Sequence, residues 1–182
     1  RYKLVLKRKR RKSRIRVVFF VLFESVWKLD GVYRLMEDDD QFEPIIVVCP
    51  YSEYDYAMQI REMKKTSVFF LSKGFNVINT YNDRNEGWLD VRRRIKPDIV
   101  FFLSPHPITK KEYRINNFLW SLTCYVPYTF QTTFNYQTMY NRAFHQVLWK
   151  AFYPTQIHKR MAEIYSRNRG RNVIVTGYPG ID

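Results

Sequence analysis

The chain has 182 residues, 46% of them apolar, and a formal net charge of +14. That apolar content excludes a disordered chain, and the length suits one domain with a substantial core. No apolar run reaches the ~18–20 residues of a membrane span. Two cysteines, Cys49 and Cys124, each beside an apolar run, argue for reduced core thiols in the cytosol rather than a disulfide scaffold or a metal site.

The charge is concentrated at the start. Residues 1–16 hold ten lysines and arginines and no acid, so the rest of the chain is only mildly basic. Residues 1–14 therefore read as a basic arm. It has three possible uses: nucleic-acid contact, attraction to an anionic membrane surface, or solubility. No aromatic residue interrupts the run from Lys7 to Arg16, and no nucleic-acid motif follows. The anionic membrane surface is the preferred partner of residues 1–16, and nucleic acid is disfavoured.

Residues 16–23 are nearly all apolar, as in a parallel strand covered on both faces. Val26, Leu29, Tyr33 and Met36 follow at helical spacing. Residues 44–49 give a second strand and residues 54–71 a helix, which Gly74 ends. Residues 75–80 are a third strand, and Trp88, Val91 and Ile95 mark a short helix. Lys96-Pro97-Asp98 turns into a fourth strand at 99–103. Ile115, Phe118, Leu119 and Leu122 form a helical stripe. Residues 124–128 are a fifth strand. The long stretch 133–167 predicts two helices split at Pro154, with Thr155 as a cap on the second. Val173-Ile174-Val175 opens a sixth strand, stopped by Gly177 and Pro179.

Strands alternating with helices predict an α/β domain, Rossmann-like and three-layered, with a parallel sheet of about six strands over residues 15–182. Ligands of such a sheet bind beyond the carboxyl ends of the strands. Those positions hold Glu24 and Ser25, then Tyr51 and Ser52, then Asn79 to Asn82. Ser104-Pro105-His106-Pro107, Tyr128-Thr129-Phe130-Gln131-Thr132 and Gly177-Tyr178-Pro179 complete the edge.

His106 is a candidate general base or phosphate ligand; the alternative is a loop histidine held by Pro105 and Pro107. Glu24 is either a catalytic carboxylate or a helix cap. Ser25, Ser104, Tyr128, Thr129 and Gln131 are candidate substrate contacts. His145 and His158 fall in helical stretches and read as surface or packing residues. Tyr125, Tyr128, Phe130, Phe134, Tyr136 and Tyr140 offer either core or a platform for a sugar ring. Asp38-Asp39-Asp40 reads as a solvated loop, and no metal site is expected. No Gly-x-Gly-x-x-Gly or P-loop pattern follows the first strand, and the chain has only six glycines. That counts against an NAD dehydrogenase or an NTPase. No cofactor is expected, and a partner domain would have to hold any nucleotide.

Three segments carry a family resemblance. They are residues 24–33 with Phe42-Glu43-Pro44, residues 96–102 with Ser104-Pro105, and the terminal Val-Thr-Gly-Tyr-Pro-Gly-Ile-Asp. Together they resemble the N-terminal domain of the CDP-glycerol glycerophosphotransferase-like proteins. These are GT-B enzymes of bacterial teichoic-acid and capsular-polysaccharide synthesis. The resemblance implies two Rossmann-like domains around a cleft. The domain in hand would face a glycan or lipid-linked acceptor, and a C-terminal domain beyond Asp182 would hold the nucleotide-activated donor. It implies a hinge at Gly177, Tyr178, Pro179 and Asp182, and work at the inner face of the cell membrane. The family's Trp-His-Gly-Thr segment has no counterpart in residues 125–133, so no catalytic histidine is carried over. The expected function is transfer of a sugar or alditol phosphate, with the isolated domain inactive. The alternatives are a nucleotide-sugar 2-epimerase-like domain and a non-enzymatic basic module for membranes or nucleic acid.

Overall fold

The computed structural model describes residues 2–9, 13–84, 87–130 and 135–180. Its strands are β1 (Ile15–Val21), β2 (Phe42–Val48), β3 (Val77–Asn79), β4 (Tyr81–Asn82), β5 (Gly87–Trp88), β6 (Ile99–Phe102), β7 (Leu122–Tyr125), β8 (Lys150–Tyr153) and β9 (Val173–Val175). Seven of them form one sheet in the order β3-β2-β1-β6-β7-β8-β9. Every pairing in that sheet is parallel. Strands β4 and β5 make a separate antiparallel pair.

Side chains of a strand point alternately to opposite faces, and here both faces are covered. Val18 and Phe20 enter one core, with Ile115, Phe118, Tyr140 and Ala162. Val17, Phe19 and Val21 enter the other, with Tyr33, Met63 and Phe70. Phe19 stacks on Phe101 across the β1–β6 pair at 4.7 Å between ring centroids. Helices α2 (Asp30–Glu37) and α3 (Tyr56–Ser72) therefore cover one face. Helices α4 (Val91–Arg94), α5 (Tyr136–Tyr140) and α7 (Gln156–Tyr165) cover the other, and the short α6 (Ala143–Gln146) lies beside them. This is the expected three-layer α/β architecture. Cys49 is buried in the first core and Cys124 in the second.

Local chemistry sets the helix ends. The Asp55 carboxylate accepts from Met58 N at 2.8 Å and starts α3. Gly74, at φ +76°, ends it, with Gly74 N donating to Leu71 O at 3.0 Å. Asp90 caps α4 by accepting from Arg93 N. At the amino edge of the sheet, buried Asp98 accepts from Arg16 N at 2.9 Å and fixes the start of β1 against β6.

Four elements differ from the sequence reading. The sheet has a seventh strand, β8, inside the stretch expected to be two helices. Its pattern of half-buried Lys150 and Phe152 with buried Ala151 and Tyr153 lacks the long apolar run of the central strands. Pro154 ends this strand rather than splitting a helix. Thr155 does precede α7, but its hydroxyl meets His158 Nδ1 at 2.7 Å instead of a backbone N–H.

The stripe from Ile115 to Leu122 is not an α-helix. Residues Ile115–Phe118 form a 3-10 turn, and Leu122 N donates to Asp98 O at 2.8 Å as β7 begins. Pairing with the sheet overrides the local spacing. Trp88 lies in β5, ahead of its expected helix. The basic arm contains a helix, α1 (Tyr2–Lys9), whose Val5 is buried. The Tyr2 hydroxyl bonds to Thr123 Oγ1 and to the Val147 carbonyl, which docks α1 toward the amino end of β7. Residues 38–40 are exposed turns, as expected.

Candidate functional site: a cleft at the reversal of strand order

Strand order reverses between β1 and β6, and the chain leaves the two strands in opposite directions there. A crevice opens at such a point beyond the carboxyl ends. A cavity of about 680 Å³ lies there. Phe23 reaches it from the loop after β1, Tyr51 from the loop after β2, and Ser104 to Thr109 from the loop after β6. Tyr128 comes from the loop after β7, Arg114 from the 3-10 turns after β6, and Arg142 and Phe144 from the start of α6.

The loop after β6 is fastened down. Thr109 Oγ1 donates to Pro50 O at 2.8 Å, and Ser52 N donates to Ile108 O at 2.9 Å. These bonds join it to the loop after β2. Ser104 Oγ accepts from His106 N at 3.2 Å, closing a tight turn between Pro105 and Pro107. Two prolines and a side-chain turn leave His106 little backbone freedom. Burial lowers the His106 pKa below the ordinary value, and the nearby Arg142 guanidinium lowers it further. His106 is thus mainly the free base at neutral pH.

The two arginines are positioned by their Nε hydrogens. Arg114 Nε donates to Thr109 O at 2.9 Å, and Arg142 Nε to Thr138 O at 3.2 Å. Arg142 N also donates to His145 Nδ1 at 3.1 Å. His145 is buried, and burial first, then Arg142 and His106, lower its pKa to about 4. It is a neutral packing residue behind the cleft. Among the described residues, no carboxylate lines the cavity. The hydroxyl of Tyr51 donates to the exposed Glu53 at 3.1 Å, outside the lining. Among the described residues, no group of three or more His, Cys, Asp or Glu side chains could hold a metal ion.

The expected site residues separate into two sets. His106, Ser104 and Tyr128 share the cavity. Glu24 does not. Its carboxylate meets Lys65 Nζ at 3.0 Å and accepts from Thr66 Oγ1 at 3.1 Å. Burial raises its pKa, but Lys65 and Thr66 outweigh that and hold the carboxyl below its ordinary value. Glu24 thus ties the turn after β1 to α3 and lies outside the cavity lining. Ser25 and Thr129 are exposed and outside the lining, so neither is a cavity contact. Gln131, Phe134 and Asp182 lie outside the described residues. Of the aromatic platform, Tyr125 and Tyr140 are core, and Tyr136 stacks on Tyr165 at 4.6 Å.

Gly177 has φ +87°, a conformation that disfavours any other residue. It turns the chain so that Tyr178 packs on Phe130 at 5.8 Å. The Tyr178 hydroxyl donates to Tyr128 O at 3.3 Å. The terminal turn is thereby attached to the loop that carries a cavity residue.

No protein-family model matches the chain, and no curated protein matches it significantly. The geometry therefore carries the functional argument. A mainly apolar cavity with two guanidiniums, a neutral imidazole and a few hydroxyls can bind an organic ligand, fix a polar group on it, and accept a proton.

Proposed function

We propose that this is the acceptor-side domain of a GT-B transferase. It would bind a membrane-linked glycan acceptor while a second domain presents a nucleotide-activated sugar or alditol phosphate. The carrying observation is the cleft between β1 and β6, which lacks any glycine-rich phosphate loop beside it. Among the described residues the cavity has no backbone cradle of the kind a pyrophosphate needs, and its aromatic, imidazole and guanidinium groups suit an acceptor with an organic body and an anionic group. His106, free base at neutral pH and on the cavity wall, would take the proton from an acceptor hydroxyl as it attacks the donor phosphorus or anomeric carbon. The resemblance of residues 24–33, 96–105 and 175–182 to the CDP-glycerol glycerophosphotransferase-like proteins supports the same reading.

No helix among the described residues is long and apolar enough to cross a membrane. Contact with an inner membrane face would be peripheral, through the basic helix α1 and the charges around it.

Two measurements test this reading. The 182-residue chain should not bind CDP- or UDP-linked donors with low-micromolar affinity; calorimetry showing about −8 kcal/mol would assign the donor to this domain instead. A chain extended by a second nucleotide-binding domain should transfer the donor group, and His106→Ala in it should lower kcat by ~10²–10⁴-fold. An unchanged kcat would remove His106 from the chemistry, and an effect on KM alone would make it a binding residue.

A further inference from the structure

The cavity wall carries an unbalanced charge. Arg114 and Arg142 both line it, both half-buried, and among the described residues no Asp or Glu joins them. Among the described residues, neither guanidinium takes part in an ion pair. Each uses its Nε hydrogen on a backbone carbonyl, which orients the guanidinium, and among the described residues its Nη groups have no acceptor. Other basic side chains do find an acid, as Lys65 finds Glu24 and Arg16 finds Glu43. Both cations border the same partly desolvated cavity, and together they make it attractive to an anion.

The rest of the wall limits what that anion is. Phe20, Phe23, Phe102, Ile108 and Phe144 make it largely apolar, so a bare hydrated ion would leave most of the cavity wall unmatched. A ligand without an anionic group would leave both guanidiniums unmatched. Planar guanidiniums suit the bidentate capture of phosphate oxygens.

We propose that Arg114 and Arg142 form a binding site for an organic phosphate ester, with the phosphate on the guanidiniums and the organic body on the apolar wall. The inference rests on the acceptor-side reading only for the identity of the molecule that carries the phosphate. Capture of the phosphate does not require that reading.

The test is a calorimetric titration of the 182-residue chain with sn-glycerol 3-phosphate, glycerol, inorganic phosphate and monomeric dihexanoyl phosphatidic acid. The expected result is binding of sn-glycerol 3-phosphate or of the phosphatidic acid, with glycerol silent and inorganic phosphate weaker. Tighter binding of the phosphatidic acid assigns a lipid-borne phosphate; tighter binding of sn-glycerol 3-phosphate assigns a soluble one. Arg114→Gln and Arg142→Gln should each weaken binding about tenfold, and the double variant should abolish it. Arg142→Lys, which keeps the charge and loses the fork, should fall between, and guards against simple unfolding of the Gln variants. Equal binding of glycerol and its phosphate, unchanged affinity in a folded double variant, or no binding of any phosphate probe overturns the site. If phosphate binds but a two-domain chain transfers nothing, the site stands and the transferase reading fails. If that chain is active and the double variant keeps its KM, the transferase reading stands and the site fails.

Discussion

Tyr178 donates its hydroxyl hydrogen to the carbonyl oxygen of Tyr128, across fifty positions of sequence, at 3.3 Å. One residue lies in the terminal turn, and the other lines the cleft. A change in the direction of the chain after β9 is therefore felt at the cavity wall. Tyr178→Phe keeps the ring on Phe130 and removes a bond of about 1 kcal/mol. Gly177→Ala meets no steric obstacle but must hold φ +87°, at a cost of roughly 1–2 kcal/mol. Amide exchange across residues 173–180 should accelerate in both variants, and more in Gly177→Ala. The melting temperature should fall modestly, by roughly 2–4 °C per kcal/mol lost, because Tyr178 belongs to neither core.

Glu24 should matter for stability at neutral pH and lose that role in acid. Its carboxyl is held below its ordinary value, so its stabilising contribution is present above the unfolded-state pKa near 4.5 and is lost as pH falls through the lower folded value. Glu24→Gln should lower the melting temperature at pH 7 by an amount fitting ~1 kcal/mol or less, since the ion pair is partly screened. Thermal melts from pH 7 to pH 3 should show the two proteins converging at the acid end.

His145 acts over a higher pH range. Its folded pKa, about 4, lies well below the unfolded value near 6.5. The unfolded chain takes up a proton first, so stability falls as pH drops from about 6.5 to about 4. The loss is on the order of 3 kcal/mol. The groups around the ring are Arg142, His106, Tyr125 and Phe144. His145→Asn should be less stable than the parent at pH 7.5 but show a flatter decline toward pH 4.5. Urea midpoints at both pH values measure this. Equal slopes would locate the acid sensitivity elsewhere.

The basic arm should show two separable effects. Lys3→Gln with Lys7→Gln should weaken binding to anionic liposomes, and the residual binding should fade as salt rises over a screening length of ~8–10 Å. Both lysines are exposed, and the melting temperature should hardly change. Val5→Ala should do the reverse, costing ~1–2 kcal/mol of stability while leaving liposome binding intact. Removal of residues 1–14 should therefore lower both, a result that a free tail would not give. Duplex DNA that competes better than liposomes would turn the arm into a nucleic-acid contact.

The central strands were legible because burial on both faces demands continuous apolar residues, as in Val17 to Val21 and Ile45 to Val48. That demand weakens toward the side of the sheet. β8 mixes Lys150 and Ala151 with two aromatics and carries no strand pattern. Leu122 misled because a 3-10 turn followed by a strand happens to space apolar residues as a helix does. In the cleft, His106, Ser104 and Tyr128 could be found because the carboxyl ends of predicted strands can be counted along the chain. Glu24 satisfied the same rule, yet its side chain turns to Lys65, which only α3 packing reveals. Arg114 and Arg142 carry no motif. Their importance comes from the absence of acids around them in space, which no linear pattern records.

The two thiols give the molecule separate reporters of its layers. Cys49 and Cys124 sit on opposite faces of one sheet, and burial pushes both thiols well above their ordinary pKa. In the native state neither should react with an alkylating reagent, since the thiolate is the reactive form. Whichever cysteine is modified first under mild denaturant then identifies the helical layer that peels away first. A chain with natural sequence and no attached probe can thus be asked which of its two coats is the looser.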